Sequence, residues 1–479
     1  MLAILRLSAV AILLAMPTAI AFFSGGYFAG ARLIAGIGVW LIVALSVWLV
    51  GNPLPKRRPG RAALAGLLAL TILVGLSILW APLRSAAQSD LQRLLLYLGM
   101  LIAAIALLRG RFGLRLTEAA LACGALLVTL YALAARLLPG LVSEAASQSA
   151  AGRLEQPLTY WNASGMLAAI GFILALRIAG DATRARWQQS LGIAAAVPLG
   201  LGVYLTFSRG ALLAVAVGVI LLIAVTRQSR QLRVVLVGLG GGIAVSAVAA
   251  FLPSFRALAG SAASREQQGL VMVVVLALVV CVVVVVGRSW GELAGEKQLS
   301  APRALAAGLT AVLLVAFIAV AAGDGSSNGQ PRFGADTRRL TSFESNRYSY
   351  WNVAGGMFVD APLAGEGSSS FRVVWRQERT ILDPALDAHS LYIETAAELG
   401  LLGLLALALL IGGVAWAGRN VHRADRAAAA GALATLGAFA VHAGLDWDWE
   451  MPALSLIALL MAGAVIAADE QLAAPVSRS

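Results

Sequence analysis

"LVMVVVLALVVCVVVVVG", residues 270–287, runs for eighteen positions without a charged side chain. A hydrocarbon core ~30 Å thick takes about 20 residues of helix to cross. Comparable runs recur along nearly the whole chain of 479 residues, which is 60% hydrophobic and only 13% charged, with mean hydropathy +0.84. So few charges cannot cover that much apolar surface in a water-soluble domain. The chain reads as an all-α polytopic membrane protein of about 14 transmembrane helices (12–14). The spans fall near 5–22, 30–50, 62–80, 91–108, 116–138, 161–180, 190–207, 211–225, 233–252, 270–287, 304–322, 391–417, 427–443 and 452–468.

The net charge of +12 is organised by this topology. Alternate loops are rich in arginine, and one set carries 21 of the 36 basic residues: Lys56 to Arg61, Arg109 to Arg115, Arg177 to Arg186, Arg227 to Arg233, Arg288 to Arg303 and Arg419 to Arg426, with Arg6 and Arg478 at the ends. The positive-inside rule puts both termini in the cytoplasm and the long loop 323–390 outside. The excess charge orients the protein in a lipid bilayer, and no nucleic-acid partner is needed to explain it. Four stretches follow: amino-terminal membrane helices (1–150), central membrane helices (151–322), an extracytoplasmic loop with short helices (323–390) and carboxy-terminal membrane helices (391–479).

Several local signals read as structural. The first span resembles a secretory signal, with Arg6 ahead of an apolar run, and is expected to be a retained helix. Cys123 and Cys281 lie mid-span and read as small packing residues. Gly238 to Gly242 lacks the Lys-Ser/Thr of a phosphate loop, so close helix packing is the expectation. No internal repeat is visible, which weakens a transporter reading.

The long loop is where chemistry is expected. After "GDGSSNGQPRFG", Thr341 and Glu344 have capping-box spacing, and Asp360-Ala361-Pro362 closes a helical segment. Phe343, Trp351, Ala354 and Phe358 recur on one face, and Arg347 lands on that face. It either snorkels over the membrane surface or turns into a polar site. Then comes "HSLYIETAAELGLLG" (389–403). On a continuous helix Ala396, Gly400 and Gly403 share the face of His389, while Glu398 projects the opposite way, roughly 13 Å deeper at ~1.5 Å per residue. An intramembrane carboxylate is a functional candidate, or else it pairs with an arginine to lock helices together. In "TFSRGALL" Arg209 occupies a tight turn with no loop to solvate it, suited to headgroup phosphates or to a pyrophosphate gripped through its planar fork.

Together these residues resemble the O-antigen ligase and O-antigen polymerase family. The resemblance rests on His389-Ser390 followed by Gly400 and Gly403, on "RYSYWNVAGGMFVDAPLAGEG" (347–367), on "YWNASG" (160–165) and on "FSRG" (207–210), and covers roughly 155–415. Fourteen spans is a departure from the family's dozen or so. The tail "HAGLDWDWEMPA" (442–453) has no place in the pattern and reads as an interfacial aromatic belt with acidic neighbours, the alternative being a cation site at Asp446, Asp448 and Glu450.

The resemblance implies transfer of a glycan from an undecaprenyl pyrophosphate carrier to a hydroxyl of a glycan, lipid or protein acceptor, at the outer face of a bacterial cytoplasmic membrane. No cofactor is implied. Arg209 and Arg347 would hold the pyrophosphate. His389 would be the general base, since a histidine's ordinary pKa of ~6.5 lets it accept a proton near neutral pH. Trp351, Tyr392, Asn162, Arg338, Arg339 and Glu398 are the candidate substrate-binding residues. By topology His422 and His442 stay outside the site. The rival readings are a polymerase joining carrier-linked repeat units and a transporter or flippase for such lipids.

Overall fold

The computed structural model of the chain describes residues 1–110, 113–142, 147–292, 298, 334–335 and 346–472. Among them there are sixteen α-helices and no strand. The first eleven helices are α1 (Leu2–Ala21), α2 (Ala29–Val50), α3 (Arg58–Ser77), α4 (Arg84–Leu107), α5 (Gly113–Leu137), α6 (Trp161–Gly180), α7 (Arg186–Leu205), α8 (Arg209–Thr226), α9 (Ser229–Ala250), the short α10 (Pro253–Ala257) and α11 (Ala262–Glu292). Two loop helices follow, α12 (Arg347–Asp360) and α13 (Phe371–Glu378), then α14 (Leu391–Ala424), α15 (Arg426–Ala443) and α16 (Pro452–Gln471).

Thirteen of these helices are long and apolar enough to cross a membrane. The fourteenth expected span, 304–322, lies outside the described residues, as do Thr341, Phe343 and Glu344. The chain is a polytopic helical membrane protein.

Hydrophobicity does not say which helices are central. The quoted run belongs to α11, the most apolar span and among the least buried, whereas the less apolar α6 is buried along its whole span window and α16 nearly so. In a bilayer the apolar solvent is on the outside, so the greasiest helix has no reason to seek the middle. Small residues decide the packing instead. Gly66 of α3 lies against the backbone of Ala406 and Leu410, and Gly413 of α14 against Pro59 and Ala63. Gly242 of α9 touches Gly200 of α7, which accounts for the glycine-rich stretch. Cys123 and Cys281, expected inside, are exposed on the outer surface of the bundle.

The expectation of one continuous helix from residue 389 fails at both ends of the quoted stretch. His389 precedes the helix, with φ +55°, and Ser390 is the N-cap. Within α14, Gly400 adopts φ 62°, ψ −156°, a conformation open essentially only to glycine. The break is repaired by the turn after α12. The amides of Leu401 and Leu402 donate to the carbonyls of Pro362 (2.8 Å) and Leu363 (3.1 Å), and the carbonyls of Ala397 and Glu398 accept from Glu366 (3.3 Å) and Gly367 (2.9 Å). Non-helical backbone is tolerated inside a membrane protein only when protein groups satisfy it in this way.

The loop helices have a small core of their own, in which Tyr350, Val353, Ala354 and Met357 of α12 meet Phe371 and Trp375 of α13 and Ala388 and Ala397 beside them. The buried face of α12 is therefore rotated from the expected Trp351–Phe358 stripe, and Trp351 and Phe358 are only half-buried.

Candidate functional site

Four segments meet at one end of the bundle, and a single carboxylate joins them. The turn between α15 and α16 brings Asp446, whose side chain is 2% exposed. The start of α6 brings Tyr160 and Asn162, α12 brings Arg347, and the residues ahead of α14 bring His389.

Asp446 Oδ1 accepts from the Tyr160 hydroxyl (2.8 Å), the Trp447 amide (3.0 Å) and His389 Nδ1 (3.1 Å); Oδ2 accepts from Asn162 Nδ2 (2.6 Å) and Arg347 Nη2 (3.0 Å). Arg347 also donates through Nε to the Leu445 carbonyl. Burial alone would raise the Asp446 pKa, but the hydrogen bond from His389 and the charge of Arg347 hold the carboxyl well below the usual carboxylate range. Burial and Asp446 itself push the Tyr160 phenol well above its ordinary value, so it stays a donor.

An ionised carboxylate only accepts, so Nδ1 of His389 carries a proton, and in the neutral ring the lone pair is then on Nε2. The imidazole stacks on Tyr350 (centroids 5.2 Å, 17°) and meets the edge of Trp447 (6.3 Å, 85°). The Tyr350 hydroxyl is itself fixed by Asp383 Oδ2 (2.7 Å). His389 and Arg347 keep about a fifth of their side-chain surface open, 22% and 21%. A base and a guanidinium thus lie side by side at a partly open end of an otherwise buried network.

Arg209 stands at the first position of α8, half-buried, behind an N-cap in which Ser208 Oγ accepts from the Ala211 amide (3.2 Å). The next residue, Gly210, lies flat against the imidazole of His442; a Cβ there would sit 2.9 Å from Nε2. His442 is fully buried, with Nδ1 bonded to Asp448 Oδ2. This corrects two expectations. His442 belongs to this end of the bundle, four residues before Asp446. The acidic residues are not neighbours of an interfacial belt either: Asp446, Asp448 and Glu450 are all buried, held by Arg347, His442 and Arg93 respectively.

The remaining described candidates bond to the backbone of neighbouring segments. Trp351 Nε1 donates to the Ala388 carbonyl (3.1 Å), and the Tyr392 hydroxyl donates to the Ala440 carbonyl (2.7 Å). Among the described residues Glu398 makes no ion pair with an arginine. Its carboxylate accepts from the amides of Ser369 (2.7 Å) and Phe371 (3.1 Å) and so caps the start of α13. Arg338 and Arg339 lie outside the described residues.

A second buried polar cluster adjoins the first. Arg93 bridges Asp90 (3.2 Å) and Glu450 (3.3 Å), Ser368 and Ser369 donate to Asp90, and Arg372 lies 3.6 Å from Asp387. Burial pushes the Glu450 carboxyl up to about 8 and raises that of Asp387 despite Arg372. A cavity of about 40 Å³ lies among Asp90, Arg93, Glu394, Glu398 and Glu450. Among the described residues no three His, Cys, Asp or Glu side chains are placed to hold a metal ion.

Sequence reasoning did not find Asp446 as the hub, nor Tyr160, His442 and Asp448. The available signal was "DWDWE" itself, three carboxylates in five residues between two apolar spans. The family model for O-antigen ligase matches residues 257–408, which contain Arg347, His389 and Gly400 but neither Arg209 nor Asp446. No curated protein sequence gives a match to the chain. Over residues 257–408, about a third of the chain, the protein is thus similar to the O-antigen ligase family.

Proposed function

We propose that this protein belongs to the O-antigen ligase family and transfers a glycan from an undecaprenyl pyrophosphate carrier to an acceptor hydroxyl, with His389 as the base. Glycan transfer of the ligase and polymerase type in a membrane is what the family match supports. The observation that carries the finer reading is the contact of His389 Nδ1 with the buried Asp446 carboxylate, beside Arg347 on the same carboxylate. In the proposed step the acceptor O–H gives its proton to Nε2 of His389, and the freed oxygen attacks the anomeric carbon. The bond from that carbon to the phosphate oxygen breaks, and the carrier pyrophosphate leaves as an anion. Asp446 offsets the charge of the imidazolium, and the guanidinium groups of Arg347 and Arg209 offset that of the leaving group.

On this reading the site faces the outside of a bacterial cytoplasmic membrane, which the alternation of arginine supports. Leu382, in the loop next to the site, is almost fully exposed, and Ala182 is exposed at the other end of α6. In a background lacking Cys123 and Cys281, Leu382→Cys should react with an impermeant thiol reagent in intact cells, and Ala182→Cys should not. The reverse pattern would put the site inside. Purified protein given carrier-linked donor should then pass glycan to an acceptor. Transfer only to a second carrier-linked glycan would make it a polymerase, and absence of transfer to every acceptor class would sink the proposal.

A further inference from the structure

The residue ahead of His389 is gripped through both of its backbone polar groups. The Ala388 amide donates to Glu394 Oε2 at 2.7 Å, and the Ala388 carbonyl accepts the Trp351 indole N–H at 3.1 Å. Ala388 is fully buried, so neither group has water as an alternative. The next residue holds φ +55°, in the left-handed region that residues bearing a Cβ seldom occupy. Such a conformation persists only where the surroundings over-determine it. Turned back to the extended region, His389 would no longer aim its ring at Asp446.

The two gripping residues come from elements that already belong to the site. Trp351 lies one helical turn after Arg347 on α12, so one helix delivers the guanidinium to Asp446 and the indole to Ala388. Glu394 stands in the first turn of α14, where its own amide donates to the Ser390 carbonyl (2.9 Å). Its side chain turns back past the N-cap, from the wall of the cavity shared with Asp90, Arg93, Glu398 and Glu450. From there its described role toward His389 is that of a hydrogen-bond acceptor.

We infer that Glu394 and Trp351 are positioning residues: they fix the two peptide units that flank Ala388 so that His389 keeps its left-handed backbone and its contact with Asp446. This rests on the transfer reaction proposed above. Neither side chain touches the reacting atoms, so their loss should slow turnover without weakening capture of the donor.

The test compares Glu394→Gln, Glu394→Met and Trp351→Phe in purified protein with carrier-linked donor and acceptor. Glutamine still offers an oxygen to the Ala388 amide, so Glu394→Gln should keep kcat within about threefold of the parent. Methionine leaves that buried amide without a partner and phenylalanine leaves the carbonyl without one, so each should lower kcat by about tenfold or more while KM for the donor moves little. If Glu394→Met does not fold, Trp351→Phe carries the same test. Parental kcat in Trp351→Phe and Glu394→Met overturns the inference, as does a Glu394→Gln variant as slow as Glu394→Met, which would show that the charge matters. A parent protein that transfers nothing overturns the transfer reading instead, so the two failures are distinct.

Discussion

Glu118 and Asp446 are both deeply buried carboxylates facing guanidinium groups, at opposite ends of the bundle, yet their surroundings differ in one respect. Around Glu118 the network closes on itself. Arg184 bonds it at 2.6 Å, Arg177 approaches to 3.9 Å, and both arginines also reach Asp181, at 3.4 and 3.3 Å. The two arginines that face Glu118 are only 3–4% exposed, and the more open Arg115 reaches Asp181 (3.9 Å) rather than Glu118. Gly431 of α15 permits the approach, since a Cβ there would collide with the Glu118 carboxylate. Around Asp446 the carboxylate is equally hidden, but two of its partners, Arg347 and His389, keep about a fifth of their side-chain surface open. A closed ion-pair knot ties helices together. A knot with a guanidinium and an imidazole at the rim presents chemistry to a ligand.

If that contrast holds, mutations at the two ends separate turnover from stability. The heaviest loss among the partners of His389 is expected from Asp446→Asn. The amide keeps the shape but gives up hydrogen bonds to a charged acceptor, each worth ~1.5–3 kcal/mol, so transfer should drop about 10–100-fold in a steady-state assay. A rate within twofold of the parent would mean that Asp446 is another structural knot.

A milder change is expected from Arg347→Lys. Lysine retains the charge but cannot serve Asp446 Oδ2 and the Leu445 carbonyl as the planar fork does. Transfer should fall roughly tenfold, with a rise in donor KM, if the loss is near ~1.4 kcal/mol at the low end for a charged hydrogen bond. Unchanged kinetics would return Arg347 to the role of a snorkelling side chain.

Glu118→Gln should hardly touch turnover. It leaves the buried guanidinium groups short of an acceptor, at a cost of ~1–3 kcal/mol seen as a lower unfolding temperature, while the transfer rate stays within about twofold. A slow but fully stable Glu118→Gln protein would erase the distinction between the ends.

The sequence makes half of this legible. The spans are plain because crossing a bilayer demands long apolar runs, and Arg347 and His389 stand out because a charge on an apolar helix face and a histidine at a helix mouth are conspicuous locally. Asp446 is not, because its meaning lies 57 positions from His389 and only the packing of α6, α12 and α15 brings the partners together. Flanking tryptophans made it look interfacial. The break at Gly400 is hidden for a related reason. The apolar pattern runs on through it, and the carbonyls that satisfy its amides come from Pro362 and Leu363. Nor does the higher hydropathy of α11 reveal that α6 is the central helix, since lipid and protein interior are both apolar.

The decisive experiment removes the imidazole and keeps everything else. Transfer and donor binding should be measured side by side on purified His389→Ala protein in lipid. A general base contributes about 10²–10⁴-fold, so transfer should drop by that much while the donor still binds with near-parental affinity. Transfer by His389→Ala at close to the parental rate would show that His389 is only the cap at the mouth of α14 and that the base lies elsewhere.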